Sequence, residues 1–452
     1  MKSSRAGPPF ACLPHPLRAK DRPTMTDTHM PPALRFMLAA RRSELAGLEG
    51  LAQTCELVAS ISQLVHALQR ERGYSNVYLG SKDARQLTQL DALTCDARAV
   101  EQQVVAGFDA IDLDATSACD RARLFNRLAY VMHGLDELPG LRRRIRDQRV
   151  SALDATAAMT RLIGGLLAVV FEAADTAVDP TITRVLVALF NFMQGKELAG
   201  QERATGVSGF SKGFFDTPLR ERIEHLQQGQ ERCLQTFADF CDEETRRLWR
   251  NQQASETTAQ VVQLRGVALK TSEHQQVDPA LSQVWFELAT ARIDAMREVE
   301  TRLAQVLLDS CQASIKQARA DLENHRTLLN RLVSLETAGC VDQALLFNVQ
   351  AVDLDSAAQG GLGHHLGRSV LDMLQTQTQR LLSAHDERDE ARQALNERKV
   401  VERAKRLLME EYQMSEGDAY ERLRVSSMER GQRMVDVAQA LLNLAAGRSP
   451  RR

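Results

Sequence analysis

The sequence predicts an all-α protein, and three observations predict it. Only 5% of the residues are aromatic, while Ala, Leu, Gln, Glu and Arg abound, which favours helix over sheet. Of the 12 prolines, seven (Pro8, Pro9, Pro14, Pro16, Pro23, Pro31, Pro32) crowd the first 32 residues and one is Pro450, so only Pro139, Pro180, Pro218 and Pro279 interrupt the long stretch between. Apolar residues recur at helical spacing, as in Leu57, Ile61, Leu64 and Leu68, in Leu186, Phe190 and Met193, and in Val261, Leu264 and Ala268.

In chain order, residues 1–33 read as a disordered extension in which Met25 and Met30 are alternative starts to Met1. Residues 34–310 read as about eight helices, enough for two four-helix bundles. Asp179-Pro180, Thr217-Pro218 and Asp278-Pro279 each put a capping side chain before a proline at the first helical position. The lack of Pro and Gly over 280–335 predicts one long helix or two. Residues 311–389 then form a helical linker. It holds a Gly-rich hinge at 357–367 and a weak coiled-coil seam (Leu374, Gln377, Leu381, Ala384, Arg388, Ala391, Leu395) broken by polar residues.

Residues 390–447 read as a small three-helix domain. Over 395–409, Val401, Ala404 and Leu408 make a core stripe, while Lys399, Arg403 and Arg406 line a second stripe with Lys405 beside it. A second helix starts near Ser415 as cap, with Asp418 closing a capping box and Met414 stapling onto Ala419. Arg422 and Arg424 follow on it, and a third helix runs over about 430–444.

Charge and motifs narrow the function. The net charge is −2, but residues 391–452 carry +4, residues 1–32 carry +3 and the middle −9. A basic end on an acidic body suits an anionic partner such as nucleic-acid phosphates. The eight cysteines include no CxxC pair, which fits a reducing compartment and argues against a zinc knuckle. The longest apolar run, 162–171, is about half the ~20 residues needed to span a bilayer, so no membrane helix and a cytoplasmic location are expected. No GxSxG, HExxH or Walker sequence occurs, Gly361-Leu362-Gly363 follows no strand, and His364-His365 has no ligand at metal-site spacing. Neither an enzyme, nor a cofactor, nor a metal site is expected.

Two arginine boxes stand out. Gln69-Arg70-Glu71-Arg72-Gly73 continues the Leu57–Leu68 stripe, and Gln201-Glu202-Arg203-Ala204 continues the Leu186–Met193 stripe 131 residues later. Arg72 and Arg203 fall on core-facing positions, each box being followed by a break and an aromatic (Tyr78, Phe210). Arg70, about 200° round the helix from Arg72, faces elsewhere. Arg265, between Leu264 and Ala268, is a third case. One reading is buried structural ion pairs with Glu71, Glu202 or other acids. The other is an oxyanion site, since convergent guanidiniums in a low-dielectric cavity repel one another until an anion that each can fork onto relieves them.

Residues 395–444 resemble the ANTAR domain, a three-helix RNA-binding module of antitermination regulators, through Ala404-Lys405, Leu408-Met409, Ala419, Leu423-Arg424, Ser427-Met428 and Val437-Ala438. Arg406 stands where that family usually has glycine. The body from about 50 to 310 is similar to the NIT domain, a nitrate- and nitrite-sensing double four-helix bundle, through the two arginine boxes. Together these resemblances imply a one-component antiterminator: nitrate or nitrite in the sensor frees the effector to bind a leader-RNA hairpin, and RNA polymerase, touched only indirectly, reads past a terminator. They imply Arg72, Arg203, Arg265 and Arg70 as anion ligands, and Lys399, Arg403, Lys405, Arg406 and Arg424 as RNA contacts, with a homodimer as an admissible assembly. An RNA-binding regulator with another input, a different small molecule or a protein partner, and a plain helical scaffold are the alternatives.

Overall fold

A computed structural model of the chain describes residues 32–81, 84–111, 118–177, 179–271, 276–337, 388–389, 392–393, 396–414 and 416–448. Among these residues there are helices and connecting turns but no strand, as the composition predicts. The helices are α1 (Pro32–Ser81), α2 (Ala84–Asp109), α3 (Ala118–Arg146), α4 (Ala152–Thr176), α5 (Pro180–Lys212), α6 (Thr217–Phe240), α7 (Glu243–Gln253), α8 (Glu256–Lys270) and α9 (Leu281–Thr337). Then come α10 (396–412), α11 (Glu416–Arg430) and α12 (Met434–Arg448). The extension before Pro32, the glycine hinge with its two histidines, most of the heptad seam and the Ser415 cap lie outside the described residues.

The chain divides into two compact units, Met1–Leu45 with Ala318–Gly367 and Ala46–Gln317 with Arg368–Arg452. In the first, an Arg41–Glu44 ion pair at 2.7 Å joins successive turns of α1.

Caps set most helix starts. Asp179 accepts from the Ile182 amide at 2.9 Å, with Pro180 opening α5. At α6 the expected cap is one residue out: Asp216, not Thr217, accepts from the Leu219 amide at 3.1 Å, because its carboxylate reaches the third helical N–H while Thr217 is already helical. The proline- and glycine-free stretch is one helix, α9. The breaks expected after the arginine boxes are absent. α1 runs through Gly73 to Ser81, and α5 continues to Lys212, with Tyr78 and Phe210 buried inside their helices. The last helix starts at Met434 rather than near 430, because Gly431, at φ +58°, turns the chain after Arg430.

α4 is longer and more apolar than its 162–171 run suggests. By length and composition it is the one helix among the described residues apolar enough to cross a bilayer. Its stripe of Met159, Ile163, Leu166, Val170 and Ala174 is instead buried in the largest apolar cluster, with residues of α1, α3, α5 and α9. A smaller cluster joins Phe210, Phe215, Ile223, Val261, Ala268 and Trp285. A third, Ala404, Leu408, Ala419, Leu423, Val437 and Ala438, holds α10 to α11 and α12 and contains the expected Ala404–Leu408 stripe.

Candidate functional site

Arg72 and Arg203 meet across the α1–α5 contact. A Cβ added to Gly73 would lie 2.3 Å from Arg203 Nη2, and one added to Gly200 would lie 2.7 Å from Arg72 Nη2. Each glycine thus makes room for the arginine of the opposite helix, which is why the box continues as helix where a turn was expected. Both arginines are buried, 2% and 3% exposed.

Their partners differ. Arg72 has its own carboxylate: Nη1 and Nη2 donate to Glu197 Oε1 and Oε2 at 2.5 and 3.1 Å, and Nη1 also donates to Thr160 Oγ1 at 2.8 Å. Glu197 further accepts from Gln69 and Gln201 at 2.9 and 3.0 Å. Arg203 has no carboxylate within ion-pair distance among the described residues. It donates to Thr290 Oγ1 at 2.9 Å and to the Gln69 carbonyl at 3.2 Å, and lies 5.2 Å over the Phe286 ring. Burial and the neighbouring Arg72 charge lower its pKa to about 10. Arg203 is therefore a buried cation hydrogen-bonded to neutral acceptors, with the Asp294 and Glu197 carboxylates near but not paired to it, beside a second cation that is directly paired.

Arg265 belongs to a different network. It donates to Glu202 through Nε and, at 2.9 Å, through Nη2; Gln230 donates to Glu202 at 2.7 Å, and Arg292 donates to Gln230 at 3.0 Å. The bland expectation of an ion pair with Glu202 thus holds for Arg265. Its α8 position sets it beside a cavity of about 920 Å³ between α6, α7, α8 and α9, and its hydrogen bonds run to Glu202 rather than to Arg72 or Arg203. Glu71, the other expected partner, pairs with Arg142 at 2.8 Å instead. Arg70 is half-buried and makes no hydrogen bond or ion pair among the described residues.

Around this crossing lie polar groups that the sequence reading missed: Glu197, Thr160, Thr290 and the buried ion pair of Lys196 with Glu300. Their spacing gave a partial signal, since Lys196 and Glu197 precede the second box on the same helix.

The expected basic stripe of the C-terminal domain is divided between two environments. Lys399 is turned onto the body, paired with Asp175 at 2.7 Å and 4.8 Å over the Phe171 ring. Arg398, unremarked in the sequence, lies 5.3 Å over Phe190 and donates to Asn191 Oδ1 at 3.2 Å, while Arg392 donates to the Ala177 carbonyl at 3.3 Å. On α11, Tyr420 is covered by Arg232 at 4.3 Å. Arg403 and Arg406 are exposed. Lys405 is not on that open face: it is buried and bonded to Glu402 at 2.7 Å, since it lies about 100° round the helix from Arg406 and beside the Ala404 core position. Arg424 is part-exposed and held by Glu421 of its own helix at 2.5 Å.

Comparison with known proteins matches these two regions. The family model "Nitrate and nitrite sensing" (NIT) matches residues 63–308, and the ANTAR domain model matches residues 389–442. The chain is 32% identical to the "Nitrate regulatory protein" of Klebsiella oxytoca over 418 residues, 92% of this chain and 96% of that protein. A solved structure, that of the NasR transcription antiterminator, is similar at a TM-score of 0.56 and 31% identity, covering 92% of this chain and all of that one. The arginine crossing and the three-helix end therefore lie inside matched regions of an almost full-length relationship, and the chain belongs to the nitrate and nitrite sensing family, with an ANTAR domain at its C-terminal end.

Proposed function

We propose that this protein is a one-component antitermination regulator, not an enzyme, in which nitrate or nitrite binds at the Arg72–Arg203 crossing and releases the ANTAR domain to bind a leader-RNA hairpin. RNA polymerase then reads through into a nitrate-assimilation operon without being touched directly. The observation that carries this reading is Arg203, a buried guanidinium with neutral partners only. Structural ion pairing accounts for Arg72 and Arg265 but not for Arg203, whose lost hydration is offset only in part by neutral acceptors and the nearby Asp294 and Glu197 charges until an anion arrives. A small oxyanion offers oxygens to a guanidinium fork in place of the neutral Thr290 hydroxyl and Gln69 carbonyl that Arg203 meets. Arg70, half-buried on the same stretch of α1, joins the ligand set.

The output half follows from charge. Asp175, which also pairs with Arg123 at 2.8 Å, occupies Lys399 as an RNA phosphate would. While that contact holds, Lys399 and Arg398 are withheld from RNA, whereas Arg403 and Arg406 face outward and Arg424 is part-exposed. Releasing α10 restores the whole basic surface.

The test is the melting temperature of the full chain in millimolar nitrate, nitrite or chloride. A ligand present at 100 times its Kd stabilises by about 2.7 kcal/mol, a rise of several degrees. Stabilisation by nitrate or nitrite but not chloride is expected; equal responses to all three would remove the sensor reading.

Gly73→Ala tests the crossing itself. The added methyl meets the end of a flexible side chain, so the fold survives but Arg203 is displaced from Thr290. About a tenfold loss of nitrate affinity, the worth of one good hydrogen bond, is expected by calorimetry.

A further inference from the structure

Within two turns of the arginine crossing on α1, His66 Nδ1 and Gln69 Oε1 are buried without a hydrogen-bond partner, as is Glu300 Oε1 of the Lys196–Glu300 pair on α9. Buried polar atoms are nearly always paired, and an orphan costs about 1–3 kcal/mol, so a cluster of them marks a place where something polar fits.

The helix register places His66 on the α9-facing side of α1, along from the crossing. α1 and α9 run antiparallel here: Arg297 donates to Ser62 Oγ at 3.1 Å, and Tyr74 packs on Phe286 with ring centroids 5.9 Å apart. His66 is therefore level with Asp294, and Arg70 with Thr290, the residue that holds Arg203. On α1 itself, His66, Arg70 and Gly73 share one face at i, i+4 and i+7, and Arg203 lies over Gly73.

Resting on the proposed nitrate or nitrite site, we propose that His66 is the group that tells nitrate from nitrite: its Nδ1–H donates to the third oxygen of nitrate, which nitrite lacks. Arg203 forks onto two oxygens, as either anion allows. The charged groups facing His66 are Arg70 on α1, Lys196 and Arg203 on α5, and Arg297 on α9, with Asp294 and Glu300 on α9 as the acids. Burial and the four cations hold its pKa down to about 2, so the ring is neutral and has one N–H to give. A neutral donor adds discrimination without adding charge, and the site's preference does not change with pH between 6 and 8.

Calorimetric titration of the full chain with sodium nitrate and sodium nitrite, at pH 6 and pH 8, tests this. His66→Leu is expected to weaken nitrate binding about tenfold and nitrite binding less than twofold. His66→Asn, which keeps an N–H near the Nδ1 position, restores most of the nitrate affinity and covers the case of a leucine variant that fails to fold. Equal losses for the two anions, no loss for either, or a tenfold gain in nitrate affinity on acidification would overturn the role of His66 while leaving the anion site standing. A wild-type protein that binds neither anion would remove the site itself, and this role with it.

Discussion

Arg203→Leu abolishes the response to nitrate without weakening the empty protein. In the proposed site the guanidinium supplies two charge-assisted hydrogen bonds to the anion, and their loss is expected to lower nitrate affinity by about 100-fold or more, since each such bond is worth about 1.5–3 kcal/mol. In the absence of nitrate the substitution removes a buried cation that has no paired carboxylate, so the melting temperature stays level or rises. These two outcomes together, read by calorimetry and thermal melting of the same samples, separate a ligand-binding arginine from a structural one. Had Arg203 been a structural ion-pair member like Arg265, its removal would lower the melting temperature and leave nitrate binding intact. Nitrate stabilisation of the variant equal to that of the wild type would sink the assignment.

Asp175→Lys makes RNA binding independent of nitrate. Asp175 is buried between Lys399 of α10 and Arg123 of α3, at 2.7 and 2.8 Å. A lysine there replaces two attractions with two repulsions, and the α10 contact opens. Gel shifts on a leader transcript of the nitrate-assimilation operon the protein is proposed to control should show the variant binding without nitrate at least tenfold more tightly than the wild type, at the level the wild type reaches with nitrate. Asp175→Asn, which loses the attraction without adding repulsion, should fall between the two and guards against a misfolded variant. Wild-type dependence on nitrate in both variants would show that the Lys399 contact does not restrain the domain.

How much of this was legible in the sequence depends on what kind of force decides each feature. The all-α fold followed from proline placement and apolar spacing, because burying a stripe of Leu, Ile and Val is a local property of each helix. The burial of Arg72 and Arg203 was legible for the same reason, being a count of fours along a stripe. Which acid would neutralise Arg72 was not: Glu71 is adjacent in sequence, yet Glu197, 125 residues away, takes the pair. Adjacent helical residues diverge by about 100°, so Glu71 turns to Arg142 instead. Gly73 looked like a helix stop because glycine usually is one; only the opposite helix reveals that it is a gap for a side chain. Likewise Lys405, judged by charge alone, belonged to the basic face, whereas the α10 register turns it inward beside Ala404. Arg398 was invisible, since its partners Phe190 and Asn191 come from α5 and carry no motif.

That same helix has a consequence for how the protein can be rebuilt. α5 carries Phe190 and Asn191, which contact the effector domain, and Arg203 of the proposed anion site, within 13 residues, about 20 Å of one uninterrupted rod. Input and output are written on a single strut, so no long relay of loops has to be preserved between them. A different effector given an arginine and a lysine at the spacing of Arg398 and Lys399 would find the same grip, and the sensor would become a transferable nitrate-operated latch.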